Sequence, residues 1–236
     1  MRDKKGATMA VKQVTTAGRS LVFSDGVPQS QIDAYANTLI KAQMDTNEVD
    51  NDPTTAKHFD TLIANLGSLG WEVMKLGDYS YKPGTGKIRP IYIFADAILA
   101  YVKKFLPFIP DSALSPSNYL PSVIAALQHP PPALEKALED WWGDTKVSGS
   151  IHLAMMGPLS SLLGSPFVML TYYAMTFEAS SWHAVLDEYF AEDIQLRSIS
   201  MTMLLNMITY SIEKDKIFSD IKYRTEHHIN TTALDF

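Results

Sequence analysis

Val147-Ser148-Gly149-Ser150-Ile151-His152-Leu153-Ala154-Met155-Met156-Gly157-Pro158 opens a window that runs on to Pro166-Phe167-Val168-Met169-Leu170-Thr171-Tyr172-Tyr173-Ala174-Met175-Thr176-Phe177 without one formally charged residue. A membrane-spanning helix needs about 20 consecutive apolar residues. Gly149, Gly157, Pro158, Gly164 and Pro166 interrupt the window too closely for that. The window therefore divides into two strands, Ser150 to Met155 and Phe167 to Phe177, joined by the loop Gly157 to Pro166. The second strand is apolar on both faces, as a strand buried in the middle of a sheet must be, and it is expected to be central. A sheet with such a strand needs neighbours on both edges and helices over it, and the rest of the chain is read for both.

Downstream, Ser180 to Phe190 reads as a short helix that groups Trp182, Val185 and Tyr189. Ile194 to Met203 reads as a strand, and Leu205, Ile208 and Ile212 begin a helix that Phe218 and Ile221 continue. Ile229 to Phe236 is expected as an edge strand.

Upstream the pattern is helical. Ile32, Tyr35, Ala36, Leu39 and Ile40 recur at the three-and-four spacing of an amphipathic helix ending near Met44. Asp45 to Asp52 is an acidic loop, and Asp52-Pro53 supplies an N-cap and a first-turn proline for a second helix carrying His58, Phe59, Leu62, Ile63 and Leu66. Gly67 and Gly70 close it before a half-buried strand from Trp71 to Leu76. After the turn residues Pro83 to Gly86, a third helix presents Ile91, Phe94, Ile98, Tyr101, Val102 and Phe105 on one face, with Lys103 and Lys104 off it. A short helix from Pro121 to Gln128 and another opened by Pro130-Pro131-Pro132 and running through Trp141 and Trp142 come next. Met1 to Ser20 holds Lys4, Lys5, Lys12 and Arg19, lacks the apolar stretch of a signal peptide, and reads as a mobile arm.

The expected architecture is α+β: a helix-rich half, residues 28–143, packed on a mainly antiparallel sheet from a strand-rich half, residues 146–236. Together they form one layered domain over residues 21–236. The composition agrees, because 236 residues with 46% hydrophobic and 19% charged side chains can bury a real core. With no cysteine, disulfides, thiolate metal sites and a cysteine nucleophile are excluded. A formal net charge of -6 disfavours a nucleic-acid partner.

Motifs of catalysis are weak. Gly84-Thr85-Gly86-Lys87 lacks the early glycine of a phosphate loop, where Tyr81 stands, and has Ile88 at the metal-binding hydroxyl position. The acidic loop fails as a calcium loop, with Asp50 at the turn glycine and Ala56 at the bidentate glutamate, so no metal is expected. No organic cofactor has a fingerprint here. His183 and Asp187 stand four apart, with Glu188 and Glu178 near, so a histidine and a carboxylate can share a helix face and a proton. A surface helix with an intrahelical pair explains them as well. His227-His228 point to opposite faces if extended, and His152 inside an apolar strand reads as a buried histidine with a backbone partner. Trp141 and Trp142 are adjacent, so either one packs in each direction under neighbouring elements, or one indole is partly exposed, where it suits a partner or a lipid interface.

No motif carries a family signature. In architecture alone, helices around a sheet in a cysteine-free acidic chain, the protein resembles the single-domain cytolytic toxins whose helices swing away at a membrane. That resemblance implies a membrane-active or lipid-binding toxin-like protein of cytolytic or virulence type, pore-forming as an oligomer of this chain, with a lipid membrane or a membrane receptor as partner. Its contacts would be Trp141, Trp142 and the Ile91, Phe94, Ile98, Tyr101, Phe105 face with Lys103 and Lys104. It would be secreted without a cleaved signal, or cytoplasmic before release. A hydrolase using His183, Asp187 and Glu178, and a non-enzymatic interaction module, are the alternatives.

Overall fold

Gly18, with φ of 53°, turns the chain between Gln13–Ala17 (β1) and Ser20–Ser24 (β2), a backbone angle that glycine adopts without a Cβ penalty. The computed structural model describes residues 13–24, 26–81, 87–88, 129–148, 150–156, 164–176, 182–183, 189–190, 195–225 and 229–233. The remaining elements, in chain order, are Gln29–Val49 (α1), Ala56–Ser68 (α2), Trp71–Tyr81 (β3), Lys87–Ile88 (β4), Pro132–Ser148 (α3), Ser150–Met156 (β5), Phe167–Thr176 (β6), Tyr189–Phe190 (β7), Gln195–Leu205 (β8), Met207–Thr225 (α4) and Ile229–Ala233 (β9).

Seven strands form one sheet in the order β3-β8-β6-β5-β2-β1-β9, and β4 pairs with β7 apart from it. Each neighbouring pair in the large sheet is antiparallel except β2 with β5. The α+β class and the mainly antiparallel sheet are thus observed. The expected edge strand is β9, paired with β1 alone. β6 is interior, held by β5 and β8, although the middle strand of the seven is β5.

Register explains how the helices sit. Val22, Ala154, Leu170 and Met201 lie opposite one another across four strands, and all four are fully buried in a core shared with Ile32, Tyr35, Leu39, Phe59, Leu62 and Leu66 of α1 and α2. Alternation turns Leu21, Phe23, Ile151 and Leu153 to the other face. These are also buried, outside that core cluster, as are Leu134, Leu138, Trp141 and Trp142 of α3, which packs on β1, β5 and β9. Burying each such side chain contributes roughly 1.5–3 kcal/mol, so both faces of the sheet bind helix.

Several expectations change. From Gln13 onward the supposed arm is a hairpin whose Thr15, Thr16, Ser20 and Ser24 are all buried. The first half therefore supplies β1 and β2, beside the expected strand that begins at Trp71, to a sheet expected mainly from the second half. α1 runs five residues past Met44, absorbing most of the acidic loop. Asp52 does not cap α2; Thr55 does, its side chain accepting from His58 N at 3.0 Å. Tyr189 is not helical but pairs with Ile88. Trp141 and Trp142 are both buried, their rings 6.3 Å apart, so of the two readings of this pair the packed one is observed and the exposed indole is not. Ile208 and Ile212 do begin α4, yet they point outward at 76% and 74% exposure, because Tyr210, Ile217 and Ile221 form its inner stripe.

Candidate functional site

The row of strand positions next to Val22–Ala154–Leu170–Met201 is polar where its neighbour is apolar. Ser20, His152, Tyr172 and Ile199 lie side by side on β2, β5, β6 and β8. The Gly18 turn places Arg19 just before this row, and Arg19 O accepts from His152 N at 3.1 Å. An added Cβ on Gly18 would stand 3.5 Å from Gln43 Oε1, an ordinary contact, so the glycine serves the positive φ of the turn.

Helix α1 answers the row with its own polar groups. Gln43 Nε2 lies 2.6 Å from His152 Nδ1 and donates to Ser20 Oγ at 3.2 Å. Ser20 Oγ is 3.3 Å from the same ring nitrogen. One turn on, Asn47 Oδ1 accepts from Arg19 Nη2 at 3.2 Å, while Arg19 Nη1 donates to Ser150 Oγ at 2.8 Å. The turn into α2 completes the cluster: Tyr172 Oη donates to Pro53 O at 2.7 Å, and His58 Nδ1 is 2.6 Å from Asp50 O. The rings of His152 and Tyr172 lie 4.7 Å apart.

The electrostatics favour neutral imidazoles. Burial first, then the charges of Arg19 and His58, hold His152 well below the ordinary histidine value. Burial also lowers His58, against a rise from its bond to Asp50 O. Because the Gln43 amide nitrogen can only donate, Nδ1 of His152 is the acceptor and the ring proton sits on Nε2. That Nε2 is buried and has no hydrogen-bond partner among the described residues.

Ser20 and His152 are both fully buried, and the bonds of the cluster join α1 to β2 and β5. Among the described residues no group of three or more His, Cys, Asp or Glu side chains could hold a metal ion. None of the described helices is long and apolar enough to cross a membrane.

The expected site residues fare unequally. His152 is buried as expected, but its ring partners are side chains rather than backbone. His183 is exposed and its ring stacks on the buried Trp182 at 3.6 Å. Asp187 and Glu178 lie outside the described residues, as do Ile91, Phe94, Ile98, Tyr101, Lys103, Lys104 and Phe105. Ser20, Gln43 and Tyr172 were not legible as a set, since Gln43 and Ser20 stand 109 and 132 positions from His152. Only the Gly18 turn before the short apolar run Leu21-Val22-Phe23 carried a local signal.

No protein-family model matches the chain, and no curated protein matches it. Among solved structures it is similar to the Evf virulence factor at 9% identity, over 93% of this chain and 86% of that chain, with a TM-score of 0.28. A likeness that distant says nothing about what this chain does.

Proposed function

We propose that the protein is a membrane-active, toxin-like protein that first binds a lipid surface through the outward face of α4. The observation that carries this is the pair Ile208 and Ile212, one turn apart and 76% and 74% exposed. Their helix cannot roll to hide them, because doing so would expose Tyr210, Ile217 and Ile221 on its buried side. Phe218 is also exposed, at 42%, and Lys214, Lys216 and Lys222 on the same helix are exposed where headgroups would meet them.

The magnitudes fit a reversible first contact. Burying an isoleucine in lipid is worth about 1.5–3 kcal/mol, and each lysine near an anionic surface about 1 kcal/mol. With Asp215 and Asp220 exposed among the three lysines, the two isoleucines and one net positive charge sum to about 4–7 kcal/mol, a dissociation constant between roughly 10 μM and 1 mM. Lipid is preferred to a protein partner because the exposed apolar residues are few and are flanked by Lys214, Lys216 and Lys222, with Glu213, Asp215 and Asp220 interspersed among them. The hydrolase alternative gains no support from His183, which faces solvent against Trp182.

The experiment is co-sedimentation with neutral and anionic vesicles from pH 7.5 to 5, with dye release in parallel, for the natural chain and Ile208→Ser/Ile212→Ser. The natural chain should bind and release dye more on anionic vesicles, and the variant should lose at least tenfold in binding. Absence of binding by the natural chain, or equal binding by the variant, refutes the reading.

A further inference from the structure

We propose that the buried imidazole of His152 is an acid-sensitive latch that holds the α1–α2 pair on the sheet at neutral pH and lets it lift off when the ring takes up a second proton. The latch is independent of lipid binding, since the movement belongs to the protein in plain buffer.

The geometry makes the latch specific to the neutral ring. Nδ1 of His152 accepts from Gln43 Nε2, the bond that joins β5 to α1. A second proton would occupy Nδ1 and end its acceptance from Gln43 Nε2 at 2.6 Å, leaving Ser20 Oγ at 3.3 Å as the acceptor for the new N–H. The other N–H of the imidazolium, on Nε2, has no acceptor within reach among the described residues. The ring is completely buried, so water cannot take the place of either partner while α1 stays docked.

Each element packed around the ring presents a group that matters to its charge. The β1–β2 turn brings the Arg19 guanidinium, a fixed cation that opposes a second one. α2 brings His58, itself held low by burial, so protonating either ring makes protonating the other harder. Asp50 and Asp52, before α2, lean toward His58, and their carboxylates are already engaged by Thr55, Thr54 and Asp52 N. β6 brings Tyr172, whose hydroxyl is committed to Pro53 O. From α1 itself come the neutral Gln43 and Asn47. No carboxylate in these bonds is placed to neutralise an imidazolium at His152.

A histidine whose folded pKa is depressed binds fewer protons folded than open. Docking is therefore fully stable above about pH 6.5, the ordinary histidine value, and weakens as pH falls below it. Each proton taken up on opening changes the opening equilibrium about tenfold per pH unit. Lifting α1 and α2 uncovers the apolar row Val22, Ala154, Leu170 and Met201.

Hydrogen exchange resolved by peptide, converted to protection factors, tests this without any membrane. Between pH 6.5 and 5, protection in residues 29–49 should fall by one to two decades per pH unit, counting His152 and His58, while residues 167–176 stay protected relative to α1. His152→Gln, which offers Gln43 an uncharged partner, should lower that slope by about one decade, and His58→Gln should leave the His152 part in place. A flat profile in the natural chain, or the same slope in His152→Gln, overturns the proposal. A second readout covers failure of that variant to fold. In the natural chain the His152 ring should remain neutral by NMR until α1 protection is lost, and a ring that titrates near pH 6.5 with α1 still protected overturns the latch equally.

Discussion

The indole N–H of Trp71, at the start of β3, donates to Thr38 Oγ1 in α1 at 2.8 Å, while the same hydroxyl donates to Ala34 O at 2.7 Å. Both groups are buried, and Tyr35 meets the indole edge-on with centroids 5.8 Å apart. The hydroxyl thus serves the helix and the sheet together. Thr38→Val keeps the shape of the side chain but strands the indole donor, and it should cost about 1–3 kcal/mol in urea unfolding. Trp141, whose Nε1 is buried without a partner among the described residues, provides the contrast. Trp141→Phe should cost about 1 kcal/mol less than Trp71→Phe, since only the latter breaks a hydrogen bond.

Gly70 and Gly26 both have positive φ, at 96° and 62°, but their surroundings differ. A Cβ on Gly70 would stand 3.0 Å from Thr209 Cβ, whereas Gly26 has nothing within 4 Å. Gly26→Ala should lower stability by about 1–2 kcal/mol, the left-handed penalty alone. Gly70→Ala should cost more, because α4 must also shift, and thermal melts of the two variants should rank them in that order.

Ile208→Ser and Ile212→Ser should each change folding stability by no more than about 0.5 kcal/mol, since these side chains face solvent. Ile217→Ala, on the buried stripe of the same helix, should cost about 2–5 kcal/mol. Equal effects from both faces would mean that α4 is rotated about its axis from the orientation described.

Asp50 accepts from Thr55 Oγ1 and from Asp52 N, which hold its carboxyl below the ordinary aspartate value. Because the folded pKa is depressed, the stabilisation is present above about pH 3.9 and is lost as pH falls through the folded value. Carboxyl carbon NMR should show Asp50 titrating below a reference aspartate, and Thr55→Val should move it back upward while fraying the start of α2.

How far the sequence could be read depended on what each element buries. Phe167 to Thr176 was legible because both of its faces are apolar and Pro166 marks its start, so no alternative assignment competes. β1 and β2 were not, because Thr15, Thr16, Ser20 and Ser24 are buried through cross-strand and helix contacts that composition cannot register. In α4 the isoleucines were legible as helical but not as outward-facing, since Tyr210, Ile217 and Ile221 give a second apolar stripe of similar strength. For the candidate site only the burial of His152 was local information. Its partners arrive from β2 and α1, and no spacing within β5 announces them.

The pairing of β2 with β5 is the sole parallel contact in the seven-stranded sheet, and it bridges 132 positions between Ser20 and His152. On the ribosome, at roughly 5–20 residues per second, the β1–β2 hairpin therefore waits roughly 10 s before the strand that completes its inner edge has been made. Its outer edge waits longer, until Ile229–Ala233 has been synthesised to lie against β1. During that interval the hairpin is a ribbon with two open sides, able to pair with another nascent copy. The buried threonines and serines, which look like a weakness in a finished core, make that waiting ribbon less adhesive than a valine-rich one would be.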